Sequence, residues 1–199
     1  MRIIESGTLS ISKTKSGLDW SAAYFCVVVL SLGLGHSFAL ADGCEDLLQE
    51  HRLTDLSLTY EEFDQTPGSG FRALAMKACY AEAATLILEY IAANNATQRS
   101  LYWHVAQLSA SAGDYDTAIS NARQALSPSE DLDTKSLRWN DYVLATIAFL
   151  ENDLDALTRH RDRVAEGADY PGNAMNLRLL NALVLHFDQS YIYATSHIE

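Results

Sequence analysis

Residues 113–128 read GDYDTAISNARQALSP. A glycine, an acidic residue and an aromatic open the stretch. Ala118, Ala122 and Ala125 follow at spacings of four and three, and Pro128 closes it. Residues at that spacing lie on one face of a helix, and here the face carries almost no side chain. Small residues let a second helix pass close by, because interaxial distance depends on the side chains at the contact. Gly113 is expected to end the preceding helix in the left-handed region, where a β-carbon is strained. Tyr115 is expected to fill the gap behind the corner, and Pro128 to stop the helix that the corner begins. The stretch therefore reads as helix end, tight corner, helix.

Two other stretches carry the same corner. ACYAEAATLI at 78–87 and NDLDALTRHR at 152–161 align with GDYDTAISNA at 113–122. Tyr80, Tyr115 and Leu154 then coincide, 35 and 39 residues apart, as do Ala83, Ala118 and Leu157. A period in the mid-thirties, built from helix–turn–helix units, resembles the tetratricopeptide repeat. The resemblance covers about 70–165 and is fullest over 99–128, although Ala106 stands for the usual small Gly and Ser109 for an aromatic. Leu157 fills a position that is normally small. The resemblance implies an all-α fold, with antiparallel helix pairs stacked as a short superhelix (an α-α solenoid) and outer helices as caps. Residues 61–75 (EEFDQTPGSGFRALA) and 139–150 (WNDYVLATIAFL) also resemble an exported, tetratricopeptide-like group from Gram-negative bacteria. That likeness implies a compartment and a fold, not an activity.

The remaining segments fit an all-helical chain, since strand-like alternation is absent. Helices are expected over 44–51, 54–64, 80–93, 98–112, 115–127, 133–151, 154–165, 173–186 and 190–197. TPGSG at 66–70 breaks the chain, and Ser69 is expected to cap the helix that follows; Thr97 is expected to cap 98–112.

The chain has 199 residues with 14 basic and 26 acidic groups, a formal net charge of −12. No cluster of Lys and Arg is available to track a phosphate backbone, which argues against nucleic acid as a partner. Residues 21–34 (SAAYFCVVVLSLGL) form the one long apolar run, preceded by Lys13 and Lys15 and followed by Ala39-Leu40-Ala41. This pattern is that of a secretory signal peptide over 1–41, cut after Ala41. It leaves 42–199 as a single helical-repeat domain, periplasmic or secreted, with no membrane span after cleavage. LADGC at 40–44 invites a lipoprotein reading, but Asp42 sits where lipidated sequences carry small uncharged residues, so simple cleavage is expected. Cys44 and Cys79 then remain as a pair in an oxidising compartment. Either a disulfide or two buried thiols fits; the disulfide is taken as the expectation.

Catalytic and metal motifs are not found. RHRDR at 159–163 holds the triplet of kinase catalytic loops without the companions that triplet needs, and reads as a charged outer helix face. GSG at 68–70 lacks the remainder of a phosphate-binding loop. The histidines fall in no ligand spacing, so no metal and no cofactor is expected. What remains is a surface. In a tetratricopeptide-like unit the first helix of each pair lines a groove. Counting from Arg99 and Arg138 places Trp103, Gln107, Trp139, Tyr142 and Thr146 on it, with Arg72 entering from the first unit. Aromatics and Arg anchor interfaces, although the tryptophans fit an inter-repeat core equally well. The reading is a scaffold that binds a protein or peptide in this groove. One alternative is an enzyme or small-ligand protein using the same groove, drawing on Arg72, His104 and nearby acids. Another is a structural helper in a cell-envelope assembly.

Overall fold

Three corners organise the chain. In the computed structural model, which describes residues 35–130 and 136–198, Ala78, Gly113 and Asn152 all have positive φ, at 60°, 86° and 59°. The hydrogen bonds around them are the same. Ala78, Gly113 and Asn152 donate from their N–H groups to the carbonyls three residues back, at 3.0, 3.1 and 3.1 Å. Cys79, Asp114 and Asp153 donate to the carbonyls five residues back, at 3.1, 2.9 and 2.8 Å. This is the Schellman closure of a helix end. Asp114 and Asp153 then cap the next helix, accepting from the N–H groups of Thr117 (3.1 Å) and Ala156 (2.8 Å). The register set by aligning Tyr80, Tyr115 and Leu154 is thus the register of the backbone.

The helices in order are α1 (Gly35–Thr54), α2 (Phe71–Ala75), α3 (Tyr80–Asn94), α4 (Arg99–Ala112), α5 (Tyr115–Gln124), α6 (Trp139–Leu150), α7 (Leu154–Glu166), α8 (Pro171–Leu185) and α9 (Tyr191–Ser196). A short 3₁₀ turn, Asp55–Ser57, and a π-helix, Glu61–Gln65, lie between α1 and α2. No strand is present among the described residues. The corners join α2 to α3, α4 to α5 and α6 to α7, and each pair packs on the next through α3 on α4, α5 on α6 and α7 on α8. This is an all-α, solenoid-like stack of helix pairs, and it lies within the compact unit Leu40–Glu199.

Helix α4 is the wall between two cores. Leu101, Val105 and Leu108 face Phe63, Leu74, Leu86 and Ile87 on one side; Trp103, Ala106 and Ala110 face the cluster built from α5 to α9 on the other. Ala118, Ala122 and Ala125 have no exposed surface, nor do Ala83 and Leu157 at the matching corners. The contact between α4 and α5 is among the most extensive in the molecule. Ala118→Leu adds three carbons at a site with no exposed surface, and is expected to cost about 1–3 kcal/mol. Ser120→Leu, on the exposed face two residues on, is expected to stay within about 0.5 kcal/mol. Urea unfolding of the two variants reads the difference; equal stabilities would mean that 113–128 is not a packed corner.

Some helix ends differ from expectation. Ser69 and Thr97 do not cap with their side chains; Gly70 and Gln98 stand at the two cap positions. Helix α5 ends at Gln124, four residues before Pro128. Its end is closed instead by the Trp139 indole, which donates to the Ala125 carbonyl at 2.8 Å. Helix α6 begins at Trp139, not at 133; residues 131–135 lie outside the described part. The N–H of Arg138 is taken by the side chain of Asn173 at 2.7 Å, and the Asn173 amide donates to Ser136 and Gly167. A fully buried, fully bonded amide of this kind fixes the connection ahead of α6 against α8. The expected signal segment lies largely outside the described residues, and the expected cut after Ala41 falls within α1. Among the described residues no helix is long and apolar enough to cross a membrane.

The sulfurs of Cys44 and Cys79 are bonded, with their α-carbons 5.4 Å apart. The bond ties α1 to the first corner. Beside it, Arg52 donates twice to the Glu89 carboxylate, at 2.8 and 2.6 Å.

Candidate functional site

The inner face of the stack is set by α4. Of its half-exposed residues, Ser100, His104, Gln107 and Ser111 stand at spacings of four, three and four, while Tyr102 lies on the opposite side against the larger core. The four make one helical stripe. It keeps Gln107 from the stripe expected from repeat counting but has His104 where that counting put Trp103. Each residue rotates the helix by about 100°, so the exchange decides what is offered to solvent. Trp103 is 5 % exposed and turns toward α6, with edge contacts to Trp139 (5.5 Å between ring centroids) and Tyr142 (5.1 Å). Tyr142 and Thr146 are buried, and the Thr146 hydroxyl donates to the Tyr142 carbonyl at 3.1 Å. Three of the six groove candidates, Trp103, Tyr142 and Thr146, are therefore core. Trp139 is half-buried, with its indole N–H already used. Gln107 and Arg72 are the two whose polar groups lie on the inner face.

Arg72 belongs to a cluster that was not read from the sequence. The π-helix Glu61–Gln65 turns Asp64 fully inside. His104 Nε2 lies 3.1 Å from its Oδ1 and Arg72 Nη2 lies 3.6 Å away. Oδ1 nevertheless has no well-aligned hydrogen bond, so its contact with His104 is mainly electrostatic. Arg72 Nε donates to the Asp64 carbonyl, and the Gln65 amide to the Asp64 carboxylate. The Tyr60 hydroxyl lies beside the same carboxylate and meets Ser100 Oγ at 2.8 Å. Burial is the largest single influence on Asp64 and raises its pKa, but His104, Tyr60 and Gln65 together outweigh it, so the carboxyl is held below its ordinary range. Burial is also the main cause that pushes the Tyr60 hydroxyl up.

The loop 66–70 makes this geometry possible. Gly70 has φ 54° and ψ −144°, and a β-carbon there would stand 2.2 Å from the Phe63 carbonyl oxygen. Only glycine lets the chain press against the π-helix and start α2 with Arg72 aimed at Asp64. GSG at 68–70 is thus a close-approach turn.

From Asp64 the polar line continues along the stripe. His104 Nδ1 faces Gln107 Oε1 at 3.4 Å, and Gln107 lies beside the hydroxyl of Tyr191 in α9. Toward the other end, the stripe opens into a cleft of about 340 Å³ lined by Arg99, Ser100, Ser127, Glu130, Leu137 and Trp139. A second open cleft of about 480 Å³ lies over Pro67, Phe71, Arg72, Ala75 and Met76.

Two further motifs resolve structurally. His160 Nδ1 meets Asp141 Oδ1 at 2.7 Å, with Arg163 at 3.4 Å. Of RHRDR, His160 turns toward the first turn of α6, while Arg159, Asp162 and Arg163 are exposed. Among the described residues, the group of His, Cys, Asp or Glu close enough to share a metal ion is Cys44, Cys79 and Glu82. Its two sulfurs are bonded to each other.

No protein-family model, curated protein or solved structure matches this chain.

Proposed function

We propose that this chain is an exported, tetratricopeptide-like scaffold that binds a segment of another protein along the inner face of its helix pairs. The observation that carries the reading is the half-exposed stripe Ser100–His104–Gln107–Ser111, which runs along α4 into the open cleft at Arg99 and Trp139. Preformed faces of this kind take helices or extended segments with little change of backbone. The Cys44–Cys79 bond supports an oxidising compartment, as does the apolar run 21–34 followed by Ala39-Leu40-Ala41. The Asp64–His104 pair is what favours the alternative of a small-ligand or enzyme site. Both ring nitrogens of His104 face protein groups, Asp64 and Gln107. That arrangement gives the imidazole a positioning role and supports the binding reading over proton transfer to a substrate.

A photo-crosslinking residue at Ser100 is expected to capture a defined protein adduct from the native compartment. The same residue at Ser120, on the outer face, is expected to capture none. Equal capture at the two positions, or none at Ser100, would overturn the reading.

A further inference from the structure

Helix α9 does not behave as a simple end cap. A terminal cap covers the last repeat. Helix α9 packs on α8 but also reaches back to α4, two helix pairs upstream. Its two inward residues, Tyr191 and Ala194, are 3 % and 0 % exposed and stand three positions apart, on one helical face. The Tyr191 ring packs edge-on to Phe149 of α6, with centroids 6.2 Å apart. Its N–H donates to the Tyr115 hydroxyl at 3.1 Å, across 76 residues of chain, and its own hydroxyl lies beside Gln107 of the stripe. Burial pushes that hydroxyl up to about 12, with Gln107 opposing. Outward, Tyr193, Ser196 and His197 are exposed. The connection from α8 is exposed too, at Asp188, Gln189 and Ser190. Six residues are too few to hold a helix alone, since isolated helices below about 12–15 residues are marginal. Docking is what makes α9 helical.

We propose that α9 is a built-in occupant of the inner face, and that the partner segment which displaces it is a short helix carrying an aromatic residue and a small residue three positions on. The inference rests on the binding role proposed above for this face. The chemistry of the partner is read from α9 itself. The aromatic ring fills the place beside Phe149 and its polar tip meets Gln107, while the small residue allows the close approach that Ala194 makes. A tethered occupant works at high effective concentration, so an outside segment meets a closed face in most molecules. Its apparent affinity falls by the fraction of chains that are open.

A fluorescently labelled peptide of residues 187–199 tests this against full-length chains. Ala194→Glu sets a carboxylate at a site with no exposed surface and is expected to unseat α9. The peptide is expected to bind this variant one to one, at least about tenfold more tightly than wild type. Tyr191→Ala in the full chain is expected to show the same gain. A peptide that itself carries Tyr191→Ala is expected to bind none of the three. Equal binding to wild type and variants, or no binding to either helical variant, would overturn the proposal. So would loss of helical circular dichroism well beyond the six residues of α9 in both variants, because α9 would then be part of the fold and not an occupant. The titration needs no outside partner. Peptide binding with no adduct at Ser100 would sink the scaffold reading and leave the self-occupied face standing.

Discussion

A chain carrying Cys44→Ala and Cys79→Ala together is expected to unfold about 3–4 kcal/mol more easily than the oxidised wild type. The bond closes a loop of 35 residues, and in the chain-entropy model the loss of unfolded-state freedom over such a loop is of that size. For a unit of this length, about 2–4 °C accompanies each kcal/mol, so the melting midpoint is expected to fall by roughly 10 °C. The folded state should change little. Leu48 is 2 % exposed in the core around Phe63, and Arg52 keeps both bonds to Glu89. Those contacts hold α1 whether or not the sulfurs are joined. Far-ultraviolet circular dichroism at 25 °C should therefore be unchanged while urea midpoints drop. Wild type treated with reductant should match the double variant. A midpoint shift below about 1 kcal/mol would show that the unfolded chain is already restrained near these positions, and the entropic account would fail.

The corners were legible because everything that makes them is local. A left-handed residue, an acidic cap and a small residue four places on lie within six positions of one another, so Gly113, Asp114 and Ala118 can be read together. Asn152, Asp153 and Leu157 repeat the set with one substitution. Long-range pairings leave no such mark. Asp64 and His104 are 40 residues apart, and Asp64 looked like one acid among many in EEFDQ. The one signal within reach was Gly70, whose φ matters only because the Phe63 carbonyl lies against it. Helix α9 was legible as a helix but not as an occupant of α4, since six residues carry no period that names a distant face. The exchange on the inner stripe has a different cause. Helix α4 begins at Arg99 as counted, but its fifth residue, Trp103, packs into the core and the adjacent His104 is the one left half-exposed. The aromatic was chosen where the polar residue faces outward.

The charge network that links the first helix pairs to that face predicts the larger single-residue effect. His104→Ala is expected to destabilise the chain by about 3–5 kcal/mol, because removing one partner leaves a carboxylate with no exposed surface short of its nearest side-chain neighbour. Arg72 remains at 3.6 Å and two-thirds buried, which places the loss toward the lower end of that range. Asp64→Asn removes the charge itself and leaves His104 and Arg72, both partly exposed, free to turn to water. It is expected to cost less than His104→Ala. The double variant is expected to be less unstable than the two single losses added together, since the unpaired carboxylate is then gone. The pH dependence follows from the direction of the Asp64 shift. Its folded pKa lies below the ordinary aspartate value of 3.8. The stabilisation from the ionised carboxylate is therefore fully present above about pH 4 and is lost as pH falls through the lower, folded value. Wild type should lose its advantage over Asp64→Asn across that acid window. Urea unfolding of the three variants between pH 2.5 and 7 reads both expectations. Additive single losses, or a wild-type advantage that persists unchanged to pH 2.5, would mean that Asp64 is held by Tyr60 and Gln65 and that His104 is free to serve the binding face alone.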